Sequence, residues 1–365
     1  MKFLIDTQAR WKIIAIILVA IVIVSGIGVY FYLAGTQPTT QIKTKLKVGV
    51  IMPGTTADPT WNMLGYRTLT DLAREVDWLE VSFTENQWNV ADAERSGREY
   101  ASSGYDIVYF HGGQYVDATL NTAKDYPQTY FICGPWAPVS NLSSNVGQHS
   151  ASFYQVGFIA GVLSGLTTKS NVVGAVIGIK TPIVVEFANA LAVGLKWVNP
   201  NATYLTSLIG QMNDPSLAKT AALTQISTGA DVIYCGVNLG TIGVNEAAVE
   251  KNVSKIIYLY IWPPQNPSLY LTAEMFDLRK VMLELFESVR AGHGLGITAG
   301  GGLTDGATYL APYPNVPKEV AAIVDKLTQD IKNGTLVVPK VPLLDIINNA
   351  SAYADQLPAY NNYVK

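Results

Sequence analysis

Apolar positions along this chain fall into two regimes: one long unbroken run near the start, and beyond it short β-rich runs that alternate with stretches of helical periodicity. The short runs read KVGVIM (47–52), WLEVSF (78–83), DIVYFH (106–111) and TYFIC (129–133) in the first half. The second half has NVVGAVIG (171–178), TYLTSLIG (203–210), DVIYCGV (231–237) and KIIYLYIW (255–262). Between them, 61–75, 91–103, 115–124, 153–168, 183–198, 215–228 and 240–251 carry apolar residues every three to four positions, at lengths that suit crossover helices. Near-continuous apolar strands alternating with such helices predict an α/β fold with parallel sheets covered on both faces.

One internal echo divides the chain. GYDIVY at 104–109 is matched by GADVIY at 229–234, each ending a helix at Gly and entering a strand through Asp. With the number of strands, this predicts two Rossmann-like lobes with a central ligand cleft rather than one large sheet. Ligands of open parallel sheets bind beyond the carboxyl ends of the strands. The loops there include DPTWN (58–62), HGGQY (111–115), CGPWAP (133–138), GQMND (210–214), GVNLGTIG (236–243) and WPPQNP (262–267). Trp61, Tyr115, Trp136 and Trp262 all fall at strand exits, as a convergent aromatic pocket for a flat ligand would require. Asp58 and Asn62 either cap the helix that begins at Trp61 or grip the ligand's polar edges.

The long run, residues 13–34, holds 22 apolar or small residues without a charge, enough to cross a bilayer as one helix. Lys2, Arg10 and Lys12 precede it against the single acid Asp6, which predicts a cytoplasmic segment 1–12 and an extracytoplasmic main body. Its length fits an uncleaved anchor better than a cleaved signal. Residues 35–46, polar and Thr-rich, read as a linker. At 365 residues and 49% hydrophobic, the rest can bury a large core. A net charge of −3 and the lack of a basic cluster speak against a nucleic-acid surface. Cys133 and Cys235 sit in apolar runs and read as buried thiols, and the three histidines show no ligand spacing, so no metal is expected.

Longer stretches carry a family resemblance. SFYQVGFIAGVLSGL (152–166), GLKWVNPNATYLTSLIGQMNDPSLAK (194–219), GADVIYCGVNLGTIGVNEAA (229–248) and LTDGATYLAPYPNVPKEV (303–320) follow, in order, the pattern of the basic membrane protein family of ABC-transporter solute-binding proteins. The resemblance spans about residues 46–339, and Asp58-Pro59-Thr60-Trp61-Asn62 stands where the family carries an Asp-x-Ser-Phe-Asn signature. It implies a type I periplasmic-binding-protein fold without catalysis or cofactor. The best understood members bind purine nucleosides, and Trp61 would stack on the base. Ligand contacts are expected from Asp58, Trp61, Asn62, Gly112, Gly113, Tyr115, Trp136, Phe153, Met212, Asp214, Asn238, Gly240, Trp262 and Asp277, with Trp61 and Asn62 acting from the first lobe and Met212, Asp214, Asn238 and Gly240 from the second. Departures bear on the ligand: Cys133-Gly134 and Tyr260-Ile261-Trp262 replace acidic positions of the relatives, and LTAEMFDLRK (271–280) lacks their contacting Lys.

The expected organisation is lobe 1 over 47–152 with a return segment at about 271–298, lobe 2 over 153–270 with a return at about 299–340, and a tail at 341–365. The expected protein is a monomeric receptor that works with separate ABC permease and ATPase subunits. The alternatives are a binding protein for another small aromatic or polar solute and a ligand sensor with a partner protein. An enzyme is disfavoured, because the first βα turn lacks G-x-G-x-x-G and neither a nucleophile elbow nor a phosphate loop occurs.

Overall fold

The computed structural model describes residues 43–135, 138–253, 255–260, 266–342 and 346–363. Residues 43–365 form one compact unit built on two six-stranded sheets. The first half supplies β1 (Leu46–Ile51), α1 (Trp61–Glu75), β2 (Leu79–Thr84), α2 (Val90–Ser102), β3 (Ile107–Phe110), α3 (Val116–Asp125), β4 (Tyr130–Cys133) and β5 (Val146–Ala151). The second supplies α4 (Tyr154–Thr167), β6 (Val172–Ile177), α5 (Pro182–Val198), β7 (Thr203–Leu208), α6 (Pro215–Ser227), β8 (Val232–Gly236), α7 (Thr241–Lys251), β9 (Ile256–Leu259) and β10 (Tyr270–Phe276). The chain then returns through α8 (Leu278–Arg290) and β11 (Thr298–Gly301) to the first sheet, and ends with β12 (Thr308–Leu310), α9 (Lys318–Lys332), α10 (Ser351–Ala354) and α11 (Tyr360–Tyr363).

Strand order is β11-β5-β4-β3-β1-β2 in lobe 1 and β12-β10-β9-β8-β6-β7 in lobe 2, the same winding twice. All pairings are parallel except β10 with β12. The echoed Asp residues do equivalent work. Asp106 accepts the backbone N–H of Lys47 at 2.8 Å, and Asp231 accepts those of Lys169 and Ser170 at 2.6 and 3.2 Å. Each carboxylate thus ties the entry of one strand to the chain leading into its neighbour. Gly104 and Gly229, at φ of 77° and 107°, take the left-handed turn that ends the preceding helix.

The lobes meet at three crossings: β5 to α4, β10 to α8, and β11 to β12. The second falls after Phe276 rather than near 271, because β10 pairs with β9 and so belongs to lobe 2. The third falls after Gly301, since β11 pairs with β5. Ser152 N–H donates to Gly301 O at 3.0 Å and Thr308 Oγ1 donates to Ser152 O at 2.9 Å, tying two crossings together. Glu186, in the second turn of α5, accepts from Ser152 Oγ at 3.0 Å and Phe153 N at 2.6 Å, so the hinge is also fastened to lobe 2.

Helix α4 is buried nearly all round, as its apolar and small residues require. A Cβ on Gly161 would lie 2.0 Å from Leu191 O, and one on Gly194 of α5 would lie 2.0 Å from Phe158 O, so these glycines set the interhelical distance. The tail packs on α5: Trp197 Nε1 donates to Pro358 O at 2.7 Å, and Asn189 Oδ1 accepts the N–H of Ile347 at 3.0 Å. Among the described residues no helix is long and apolar enough to cross a membrane, and the expected anchor at 13–34 lies outside them.

Candidate functional site

A cleft of about 750 Å³, counted to its open mouth, lies between the lobes. Lobe 1 contributes Pro53 and Trp61 after β1 and Gly112, Gly113 and Gln114 after β3; lobe 2 contributes Ile179 and Thr181 after β6 and Asn238 after β8. These are the loops on either side of each sheet's reversal of winding, where adjacent strands send their connections in opposite directions and leave a crevice. Trp88, His149, Met212, Leu259, Tyr260 and Phe276 also line the cleft.

The stretch DPTWN builds a rigid seat for one of these rings. Asp58 Oδ1 accepts from Thr60 N and Oγ1 at 2.9 and 2.6 Å, while its Oδ2 accepts from Asn62 N and Nδ2 at 3.0 and 2.7 Å. Asn62 Oδ1 in turn accepts the N–H of Gly54 at 3.1 Å. Both side chains are almost fully buried, and neither is among the cleft-lining residues. Their hydrogen bonds hold the turn that puts Trp61 at the head of α1. The indole lies flat on His111, with centroids 4.3 Å apart and planes 5° from parallel, and its Nε1 donates to His111 O at 3.1 Å.

From lobe 2, Tyr260 meets Trp61 with centroids 5.5 Å apart. Its φ of 55° is left-handed, costly for a bulky residue at about 1–2 kcal/mol, and its N–H donates to Glu274 O at 2.9 Å. The chain thus bends sharply after β9, and the ring lines the cleft while also meeting Phe153 at 5.8 Å. Backbone strain of this kind concentrates at ligand sites.

Beneath Trp61 runs a buried polar chain. His111 Nε2 lies 2.8 Å from Trp61 O, and Tyr109 Oη lies 2.7 Å from His111 Nδ1 and 2.8 Å from His149 Nε2. Burial pushes His111 down to about 4; burial, together with the charge His111 would carry, pushes His149 down to about 3. Both imidazoles are neutral at physiological pH. Behind the cleft, Glu274 is fully buried, its Oε1 accepting from Tyr234 Oη at 3.1 Å, and burial raises it well above the usual carboxylate range. Cys133 and Cys235 are buried free thiols pushed up to about 12, too protonated to act as nucleophiles. Among the described residues no group of acidic, His and Cys side chains is placed to hold a metal ion.

Of the residues expected from the sequence, Trp61, Gly112, Gly113, Met212 and Asn238 line the cleft together. Tyr115 and Phe153 are fully buried behind the wall, Tyr115 donating to Gln87 O at 2.6 Å. Asp214 and Asp277 cap α6 and α8, accepting the N–H of Leu217 and Lys280 at 3.0 Å each. Gly240 precedes α7 with its N–H on Met212 O at 3.2 Å. Trp136 and Trp262 lie outside the described residues. Trp88, Gln114, His149, Thr181, Tyr260 and Phe276 were not among the ligand contacts expected from the sequence, although Tyr260 stood out as a departure from the relatives. Trp88 had a usable signal, an aromatic in the loop after a strand. His149 had none, because VGQHSA does not read as a strand.

The double winding and the interlobe cleft define a two-lobed solute-binding protein. Residues 45–341 match the family of PnrA-like ABC transporter substrate-binding proteins, Bmp, and the chain belongs to it. It is 29% identical over 281 residues to a Haloferax volcanii protein provisionally named ABC transporter glucose-binding protein TsgA13, spanning 75% of this chain and 70% of that one. It is 25% identical over 293 residues to a purine-binding protein of Brucella abortus, spanning 80% and 82%. An ABC transporter solute-binding protein structure from Aeropyrum pernix superposes with a TM-score of 0.73 at 18% identity, covering 85% of this chain and 98% of that one.

Proposed function

We propose that the protein is the extracytoplasmic receptor of an ABC importer, held to the membrane by residues 13–34, which captures a purine nucleoside between its lobes and presents it to a permease. One observation carries the ligand class. The described wall of the cleft has aromatic rings from both lobes, Trp61 and Trp88 from one and Tyr260 and Phe276 from the other, and none of the described lining residues is charged. An anion or cation entering such a site would lose its hydration without a counter-charge, a cost of several kcal/mol. A flat neutral ring loses little water and gains contact with these aromatic side chains. Gln114, His149, Thr181 and Asn238 supply hydrogen bonds for its edges. The purine-binding relative and a nucleoside-binding relative from Lactococcus lactis, 23% identical over 321 residues, support the same class.

Closure follows from the geometry. A ligand touching both walls binds the closed arrangement better than the open one, and this difference in affinity drives bending at the three crossings. Calorimetric titration with adenosine, guanosine and inosine tests the proposal, with Trp61→Ala as the diagnostic variant. Loss of one base–aromatic stack is worth about 1–3 kcal/mol, so affinity should fall about 5- to 150-fold. Undiminished binding in the variant would remove Trp61 from the site.

A further inference from the structure

Proton positions along the chain under Trp61 are fixed from its far end. A backbone carbonyl has no proton, so at 2.8 Å His111 Nε2 must donate to Trp61 O. His111 is neutral, because it lies fully buried with no acid among its hydrogen-bond partners, and therefore its Nδ1 carries only a lone pair. Tyr109 has a single hydroxyl proton and must direct it to that lone pair. The Tyr109 oxygen then faces His149 Nε2 at 2.8 Å as an acceptor, which requires the proton of His149 to sit on Nε2. Nothing else in the arrangement is free: reversing any link would put two lone pairs or two protons face to face.

We propose that this relay makes His149 a specificity-determining residue, presenting the bare Nδ1 to the cleft as a fixed hydrogen-bond acceptor that selects ligands carrying an N–H donor. His149 lines the cleft, and its Nδ1 has no protein partner among the described residues and is not sealed from the cleft. The far end of the relay also serves as the surface on which the indole rests, so the part that fixes the tautomer and the part that stacks are one rigid body. An acceptor at this point favours the amino group of an adenine or the ring N–H of a 6-oxopurine and disfavours a base edge that offers only lone pairs, where two acceptors would meet. Tyr109 is a positioning residue, since it acts on the ligand only through His149.

The choice of a purine rests on the function proposed above; the tautomer does not, and the test separates the two. Only three histidines occur, His111, His149 and His293, so [15N]histidine labelling of the full-length protein gives few signals, assigned with His293→Gln at an exposed position and with His149→Gln. In the ligand-free protein, His149 Nδ1 is expected to resonate as a pyridine-type nitrogen and Nε2 as a pyrrole-type nitrogen with a proton slow to exchange. A pyrrole-type Nδ1 would overturn the proposal whether or not nucleosides bind. Adenosine should move the Nδ1 signal upfield as it accepts a hydrogen bond, and purine riboside, which lacks the amino group, should bind about tenfold more weakly. Adenosine bound with no change at Nδ1 would also overturn it. In Tyr109→Phe both tautomer signals of His149 should appear and the preference for adenosine over purine riboside should shrink. If no nucleoside binds but Nδ1 is bare, the purine reading fails and the acceptor stands.

Discussion

The two buried imidazoles make folding stability depend on pH in a way that can be worked out beforehand. An unfolded histidine takes up a proton near 6.5, whereas burial holds His111 at about 4 and His149 at about 3 in the folded protein. Between these limits the unfolded chain binds protons that the folded chain refuses. Each histidine's contribution is therefore present above 6.5 and is lost as pH falls toward its folded value. From pH 7 to pH 5 that loss is about 2 kcal/mol per histidine. Glu274 acts in the opposite sense. Raised well above its ordinary 4.5, it keeps its proton in the folded state and adds stability as pH falls through the same interval. The wild-type curve is a sum of opposing slopes, so the informative quantity is a difference. Urea unfolding of wild type and His149→Gln at pH 7 and pH 5, followed by circular dichroism, should show an acid-induced loss smaller in the variant by about 2 kcal/mol. Equal losses in the two proteins would mean that burial does not hold His149 neutral in the folded protein.

Two further outcomes follow from the packing. Asp58→Ala removes the acceptor of four hydrogen bonds in a buried turn, and about 3 kcal/mol of stability should go with it. Nucleoside affinity should also drop although Asp58 does not line the cleft, because Trp61 loses its seat; a stable variant with intact affinity would contradict that role. Gly161→Ala forces a methyl to within 2.0 Å of a backbone carbonyl oxygen of α5, which cannot move as a side chain can. A loss of at least 1–3 kcal/mol in thermal or urea unfolding is expected, and a neutral result would show that α4 and α5 are further apart than described.

Much of the architecture was legible in the sequence, because a strand buried on both faces announces itself as an apolar run. The eight runs read from the sequence correspond to β1 to β4 and β6 to β9, and the seven helical stretches to α1 to α7. The four strands that escaped notice have different chemistry. β5 carries Gln148 and His149, tolerated in a sheet interior because Gln148 pairs with Val139 and with the distant Thr298, and His149 with the distant Tyr109. β10 carries the buried Glu274, and β11 and β12 are edge strands of four and three residues.

The site divides along the same line. Trp61, Met212 and Asn238 could be found because they follow obvious strands. His149 and Phe276 sit within strands that sequence alone did not reveal. The acids singled out, Asp58, Asp214 and Asp277, are equally consistent by type with capping and with ligand contact; in this structure all three accept backbone N–H groups of nearby turns and helix ends.

A neutral, flat purine nucleoside is the ligand we propose for the cleft. Calorimetric titration of the full-length protein with adenosine, adenosine monophosphate and glucose, side by side at pH 7, tests it most directly. Saturable one-to-one binding of adenosine, with neither of the others binding in the same concentration range, is the predicted result. Monophosphate bound as tightly as adenosine would contradict a cleft without a counter-charge, and glucose bound in place of adenosine would contradict the nucleoside assignment itself.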